Sequence, residues 1–537
     1  MSFRDVATPL PSPNDTYVAI EGTPKHAPPA LSIRAKHRSN SRVRLSRLEA
    51  MLHEEHAKAL VPTPLLYVTI AVALMGSFQF GWLLSQLNYR PFNVDCAKNP
   101  IPDKACILFP SHSEKQWTMA VTAWIVGGAI GASGSGYPAD HIGRHYTLLV
   151  NAIVMVLGSA LQTAADSITL FSIGRLVSGI ASGAAINVCN VLISEISPTQ
   201  MRGMFSTGLQ VGVAFGSLAV TTVHYFVGYG SGWRILVGFP TVLGIAQILL
   251  IPLTTKSPVW LVTHGETALA LTELQQLYRP CDYEGILQGM LSAHDDEVKE
   301  TAGVNTWSLL FSKKYRQQLI IAIVLCSAQQ LCGINAVMYY SSSIFASAGV
   351  SDPRIGNTII NVVRTSMILV AARIMDTFPR RTLLLGFLSL MAFASGGIVV
   401  SLFYASPLLS IASTGIFVGA FCLSIGPMAW MVSAEIFPDF LHAGAGAVGT
   451  MTTWLANLVV GVFYPLLADP SVLGSYTFLL FVGYLLGVLC FVYSVVPETA
   501  QKTFDEIQVA FAHHPPRSVS SHDKLLRAID DEESSTI

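Results

Sequence analysis

Asp140-His-Ile-Gly143-Arg144-His145 closes one long apolar stretch, and Asp376-Thr-Phe-Pro379-Arg380-Arg381 closes another 236 residues further on. The spacing recurs twice. Ser194-Glu195-Ile-Ser-Pro198 is matched 240 residues later by Ala434-Glu435-Ile-Phe-Pro438, and Ser257-Pro258 is matched 239 residues later by Val496-Pro497. Three landmarks in one order at one period divide the chain into two similar halves. Each landmark sits at the same end of an apolar run, so the halves run parallel.

A membrane-crossing helix takes about 20 mostly apolar residues. Runs of that kind are read at 65–87, 117–136, 146–163, 170–192, 206–227, 234–253, 317–345, 356–375, 382–404, 409–432, 446–467 and 473–495. These twelve runs predict an all-α membrane protein with six helices per half. Composition agrees. Of 537 residues, 51% are hydrophobic and 12% charged, against roughly 25% charged in a soluble protein. The balance of 32 basic and 33 acidic residues offers no field for nucleic acid. No convergent nucleophile and base, metal-ligand cluster or phosphate loop stands out, so no enzyme, metal or cofactor is expected. The eight cysteines read mostly as small buried apolar residues.

Residues 1–62 are polar and Pro-rich and read as a disordered tail with no cleavable signal. Arg34, Lys36, Arg38, Arg42, Arg44 and Arg47 precede the first run without an acid among them, which favours the cytoplasmic side, with binding to anionic lipid as the second reading. An even number of crossings returns the 498–537 tail to that side. The halves are then 63–253 and 317–497, joined by a cytoplasmic helical linker at 254–316. The long non-cytoplasmic loop 88–116 holds Cys96 and Cys106, which read equally as a disulfide or as two free thiols.

Two similar parallel halves put a substrate site near mid-membrane on their shared axis, opened to either side by rocking, which is the design of a secondary transporter. At the landmark end, Asp140 and Asp376 each precede an arginine, Arg144 and Arg380, by four residues. Glu195 is followed seven residues on by Arg202, and Glu435 by His442. Charge pairs bridging the halves there would hold the outward-open state and part in the inward-open one. The plainer alternative is that the positive residues only fix topology.

The chain resembles the sugar porter family of the major facilitator superfamily, and its tails suggest a fungal member. The resemblance is carried by Gly174-Arg175, SEISPTQMRG at 194–203, QQLCGINAVMYY at 329–340, GPMAW at 426–430, AEIFP at 434–438 and PET at 497–499. It spans about residues 65 to 507. It implies the major facilitator fold, a sugar substrate in the bilayer with one chain sufficient, and a site made of Gln210, Gln329, Gln330, Asn335, Trp430 and Asn457. Amides suit hydroxyls because both donate and accept without charge, and an indole covers the C–H face of a sugar ring. Helix–helix bonding is the alternative role for the amides. Tyr339 and Tyr340 are expected at an outer gate, and Asp140, Arg144, Arg175, Glu195, Arg202, Asp376, Arg380 and Glu435 at the gating end.

Four departures from the family pattern qualify what the resemblance implies. Proton-coupled members carry an Asp where this chain has Leu83, so Arg175 lacks its acid and facilitated diffusion is expected. Counting twelve residues back from Asp376, where the family offers a sugar-binding Asn, gives Arg364. Arg364 is either a structural cation or a grip for an anionic solute. Ala429 and Cys422 stand where a second Pro and an acid are frequent, which predicts a softer break in the tenth span. Pro379 and His442 replace Gly and Arg, predicting a weaker second latch. The leading expectation is a monosaccharide or polyol carrier at the plasma or vacuolar membrane. Alternatives are a proton-coupled sugar or sugar-acid symporter and a non-transporting sugar sensor.

Overall fold

The computed structural model describes residues 60–88, 113–227, 232–301, 305–375 and 377–500, with Lys502, Ile507 and Phe511 beyond them. Cys96, Cys106 and Asp376 lie outside the described residues. The helices that cross the bundle are α1 (Pro64–Ser85), α2 (Glu114–Gly134), α3 (Arg144–Ala164), α4 (Ile168–Ile196), α5 (Thr199–Val227), α6 (Trp233–Leu250), α7 (Arg316–Ser347), α8 (Pro353–Ile374), α9 (Arg380–Phe403), α10 (Pro407–Glu435), α11 (Asp439–Leu467) and α12 (Thr477–Val495). The protein is therefore an all-α twelve-helix bundle. Short helices Pro258–Thr263, Thr267–Leu277, Tyr283–Thr301 and Thr306–Leu310 lie between α6 and α7.

Large apolar side chains such as Ile153, Leu157, Phe393, Leu408 and Leu480 point outward, as a lipid-facing surface requires. Eleven of the described helices are long and apolar enough to cross a membrane by length and composition. The exception is α2, whose glycines and serines dilute its apolar character. Gly127, Gly128 and Gly131 lie on the faces that pack against α4 in its own half and α11 in the other, while Met119, Val126 and Ile130 face outward.

The α2–α4 seam shows why glycine is required there. Gly127 and Gly131 on α2 face Gly179 and Gly183 on α4, a pair of small-xxx-small stripes that let backbones touch. A Cβ on Gly131 would lie 1.9 Å from the Ile180 carbonyl oxygen, and one on Gly183 would lie 2.0 Å from that of Gly128.

Two crossing helices break. In α7, Gly333 is left-handed at φ 97°, between Arg316–Leu331 and Ile334–Ser347. A Cβ there would also strike the Phe481 ring at 2.6 Å, so conformation and space both demand glycine. In α10 the break is at Ser424. Pro427 follows three residues later, and its ring cannot coexist with a helical carbonyl at Leu423. The expected softening from Ala429 does not remove this break, because Gly426-Pro427 suffices.

The halves meet through α2 against α11, α5 against α8, and α1 against the second part of α7. The first two are images of one another under the repeat. At the end remote from the charged motifs, Asn88 ties the halves together. Its Nδ2 donates to the Met338 carbonyl at 2.9 Å and to Ser341 Oγ at 2.7 Å, and its Oδ1 accepts from the Ser342 N–H at 3.1 Å. Nearby, the Tyr225 and Thr358 hydroxyls lie 3.3 Å apart, and Arg354 sits 5.2 Å over the Tyr225 ring while holding the Asp352 carboxyl below the usual carboxylate range. That end is closed.

The last residues assigned to the N-terminal tail are ordered. The Val61 carbonyl accepts from the Arg279 N–H at 2.9 Å, and Pro62 bridges Tyr278, because the backbone entering α1 finds its partners on the linker. Helices α4 and α11 also outrun their apolar runs, to Ile196 and from Asp439, since the flanking polar residues continue the helix outside the apolar zone.

Gly183→Leu is expected to destabilise the purified protein by about 3 kcal/mol or more, since no rotamer relieves a clash with backbone. Gly483→Leu, where a Cβ meets nothing within 4 Å, is expected to leave the melting temperature unchanged or raised. Thermal unfolding of the two variants in one detergent checks this.

Candidate functional site

Gly333 turns α7 so that the amides before it and the polar residues after it converge. Asn335 Nδ2 donates to Asn457 Oδ1 on α11 at 2.9 Å and also to Gln330 Oε1, across the break. The Tyr339 hydroxyl donates to the same Asn457 Oδ1 at 3.1 Å. Gln330 Nε2 donates to Gln329 Oε1 at 3.0 Å, and Gln329 Nε2 reaches the Gly426 carbonyl at the broken part of α10. Four predicted site amides and one predicted gate tyrosine thus form one network. Gln329, Asn335 and Asn457 are buried and Gln330 is half-buried. The bonds within the network hold it in a low-dielectric interior, and its members can exchange them for the hydroxyls of a solute.

Tyr340 is turned away from this network. Its hydroxyl donates to the Gly461 carbonyl at 3.2 Å, and its ring lies 5.4 Å from Tyr464. Both tyrosines therefore join the second part of α7 to α11. Trp430 is half-buried on the second part of α10, where a Cβ on Gly449 of α11 would approach its ring to 3.6 Å. Gln210 is not drawn into the network. It is exposed on α5, on the face that carries Ser217 seven residues later.

Arg175 is 1% exposed. Its Nη1 donates to the Leu83 carbonyl at 3.1 Å and its Nε to the Ala120 carbonyl at 3.4 Å, with Trp124 5.5 Å beneath the guanidinium. The leucine side chain offers nothing to a cation, so backbone carbonyls and a π-face take over. Arg364 is half-buried and donates from Nη1 to Ser217 Oγ on α5 at 3.2 Å, with Met338 Sδ at 3.8 Å.

At the charged end, Arg144 Nε and Nη2 grip Glu195 Oε1 at 3.1 and 2.9 Å, and Nη1 reaches Asp140 Oδ1 at 3.1 Å. Ser257 Oγ donates to Glu195 Oε2 at 2.6 Å. Arg144 and Glu195 side chains are each 13% exposed, enough burial for the pair to matter. The second half repeats the plan more loosely. Arg380 Nε is 3.6 Å from Glu435 Oε1, and Glu435 Oε2 has no hydrogen-bond partner among the described residues. Arg144 caps the Ala139 carbonyl, and Arg380 the equivalent Met375 carbonyl. Glu498 instead receives the Arg380 and Arg381 backbone N–H groups at 2.8 and 3.1 Å. These ion pairs lie within halves rather than between them, in a structure whose opposite end is closed. Arg202 is exposed, and Glu195 takes Arg144 as its partner.

Sequence reasoning missed several residues of this seam. Phe80, Trp124 and Trp454 form an edge-to-face cluster from α1, α2 and α11, with centroids 5.1, 6.1 and 6.3 Å apart. Trp454 lies over Gly128 and three residues before Asn457, one turn along the same face, which was the available signal. Ser217 carried no signal beyond being a polar residue inside an apolar run, and Asn88 none beyond opening the loop read at 88–116.

The family model described as sugar (and other) transporter matches residues 68–511. Human facilitated glucose transporter member 3 of solute carrier family 2 is 34% identical over 476 residues, 85% of this chain and 95% of that protein. Human member 14 is 33% identical over 478 residues, 86% and 91%. The solved inward-open xylose transporter XylE from E. coli superposes with a TM-score of 0.70 at 21% identity, covering 83% of this chain and 99% of that one. A bromodeoxyglucose-bound structure of the proton:xylose symporter XylE gives 0.68 at 22%, covering 84% and 100%. With its paired bundles, broken seventh and tenth helices and interior amide network, the chain has the fold of the major facilitator transporter XylE, belongs to the sugar (and other) transporter family, and is a multi-pass membrane carrier rather than an enzyme.

Proposed function

We propose that the chain carries a hexose-like monosaccharide or a related polyol by alternating access, as a facilitator. The observation that carries this reading is the network of Gln330, Asn335, Asn457 and Tyr339, which joins α7 to α11 beside the break at Gly333. Each member can trade an internal hydrogen bond for one to a hydroxyl, and a solute lacking that hydroxyl leaves a buried group unpaired. Gln210, Gln329 and Trp430 complete the contacts. The relatives named as facilitated glucose transporters support the substrate class.

Facilitation rests on Leu83. Its side chain cannot hold a proton, and Arg175 is satisfied by carbonyls, so among the described residues no acid pairs with Arg175 to link proton movement to the site. The second reading, proton symport, has the XylE likeness in its favour.

For gating, Asn88 and Tyr225 close one end, while Arg144–Glu195 and Arg380–Glu435 stiffen the other. Tyr339 and Tyr340 move with the second part of α7, and Asp376, Arg202 and Arg175 serve the same motion. The basic stretch before α1 orients both termini to the cytoplasm, at the plasma or vacuolar membrane. One chain and a lipid bilayer suffice.

Two outcomes are expected in proteoliposomes. Asn457→Ala lowers hexose counterflow about tenfold at subsaturating solute, the effect of one lost hydrogen bond of ~1.4 kcal/mol, and wild-type rates in this variant contradict the site. An imposed inward proton gradient leaves wild-type uptake equilibrative, whereas accumulation above the external concentration contradicts facilitation. A folded protein that exchanges no solute is a sensor.

A further inference from the structure

The interior of the bundle carries an electrostatic imbalance. Among the described residues no Asp or Glu lies in a crossing helix away from its ends, yet Arg175 and Arg364 do. A cation in a span is expensive unless it has a partner or a wet space. Arg175 has two carbonyl acceptors and the Trp124 face. Among the described residues Arg364 has neither a carbonyl nor a carboxylate as acceptor. One hydroxyl, Ser217 Oγ, and one thioether, Met338 Sδ, are its acceptors, both at Nη1.

Its Nε and Nη2 have no hydrogen-bond partner among the described residues, and they are not sealed in, because the residue is half-buried and neither atom is enclosed. The contacts of Arg364 lie at the seam between the halves. Ser217 is on α5 and fully buried, and Met338 is on the second part of α7, next to Tyr339 of the amide network. One turn before Arg364 on the same helix face, Asn361 is 4% exposed, and its Oδ1 is buried without a partner. Its Nδ2 is used by the Asn357 carbonyl at 2.9 Å. A forked donor and an orphaned acceptor therefore sit one turn apart beside the network.

We propose that Arg364 selects a solute that carries a carboxylate as well as hydroxyls, a sugar acid or other polyhydroxylated acid. The carboxylate takes the Nε and Nη2 edge of the guanidinium, which matches it in bidentate fashion. An adjacent hydroxyl donates to Asn361 Oδ1. The remaining hydroxyls meet the amides of α7 and α11. The net positive interior is neutralised when the solute is seated, and the solute brings its own hydroxyls to the other polar groups. Ser217 steadies the guanidinium from the opposite half. This assignment rests on the transport reading above and narrows its substrate.

The full-length protein in detergent and in proteoliposomes tests it with three probes at one neutral pH: D-glucuronate, its uncharged methyl ester, and D-glucose. Binding is read as a thermal shift and transport as counterflow. Glucuronate is expected to bind at least about tenfold more tightly than the ester, as a charge-assisted pair requires. Arg364→Asn is expected to erase that preference, and Arg364→Lys to keep part of it. Equal response to acid and ester overturns the assignment, and so does a preference that survives Arg364→Asn. If Arg364→Asn does not fold, the acid-against-ester comparison on the wild-type protein decides alone. Exchange of glucose or ester with no acid preference removes this inference and leaves sugar transport standing, while exchange of none of the three by folded protein removes both.

Discussion

Hydrocarbon gives a polar group two options: a partner inside the protein, or a space that water or solute can reach. An unpaired buried group costs on the order of several kcal/mol, so the places where this chain puts amides and cations inside its spans are constrained more tightly than any apolar position. Asn335 and Asn457 illustrate the point. They are seventh- and eleventh-helix residues 122 positions apart, and their 2.9 Å hydrogen bond fixes the rotation of both helices. The left-handed Gly333 allows it by resetting the helix so that Gln330 and Asn335 meet across the break. The architecture is arranged around satisfying these groups while leaving them able to change partners.

The internal repeat supplies the frame, and the deviations from it are informative. Arg144 and Arg380 each reach a carbonyl five residues back and a glutamate at the end of another helix. The N-terminal pair is tight and is reinforced by Ser257. In the C-terminal half Val496 occupies the matching place and cannot donate from its side chain, and Glu498 engages backbone N–H groups instead. The two ends of the bundle are thus built from unequal devices: partly buried ion pairs within each half at one end, and at the other the hydrogen bonds of Asn88 across the halves, with Arg354 over Tyr225 beside them.

The fold was legible because its signals are long and redundant. Twelve runs and three repeated landmarks survive local ambiguity, including α2, which falls short on apolar content yet is pinned by its place in the repeat. The candidate site was legible in part. Gln329, Gln330, Asn335 and Asn457 come together in one network, which Tyr339 joins although it was expected at an outer gate, while Gln210 and Trp430 lie on neighbouring surfaces of α5 and α10 without joining it. Asn88, Ser217, Asn361 and the Phe80–Trp124–Trp454 cluster were not legible. Their roles depend on which helix faces which across the seam, and a periodicity that is apolar all round does not reveal a facing direction. Arg364 was visible as an anomaly, but only its geometry shows that it reaches the opposite half.

Alternating access requires that the closed end defined by Asn88, Tyr225 and Arg354 open in response to solute. Spin labels at Phe226 and Ile355, exposed residues at the facing ends of α5 and α8, report that opening directly by pulsed dipolar spectroscopy in lipid nanodiscs. The account predicts a short-distance population matching the closed end, together with a longer one whose share changes when a transported sugar or sugar acid is added. A single short distance that no solute alters would contradict it.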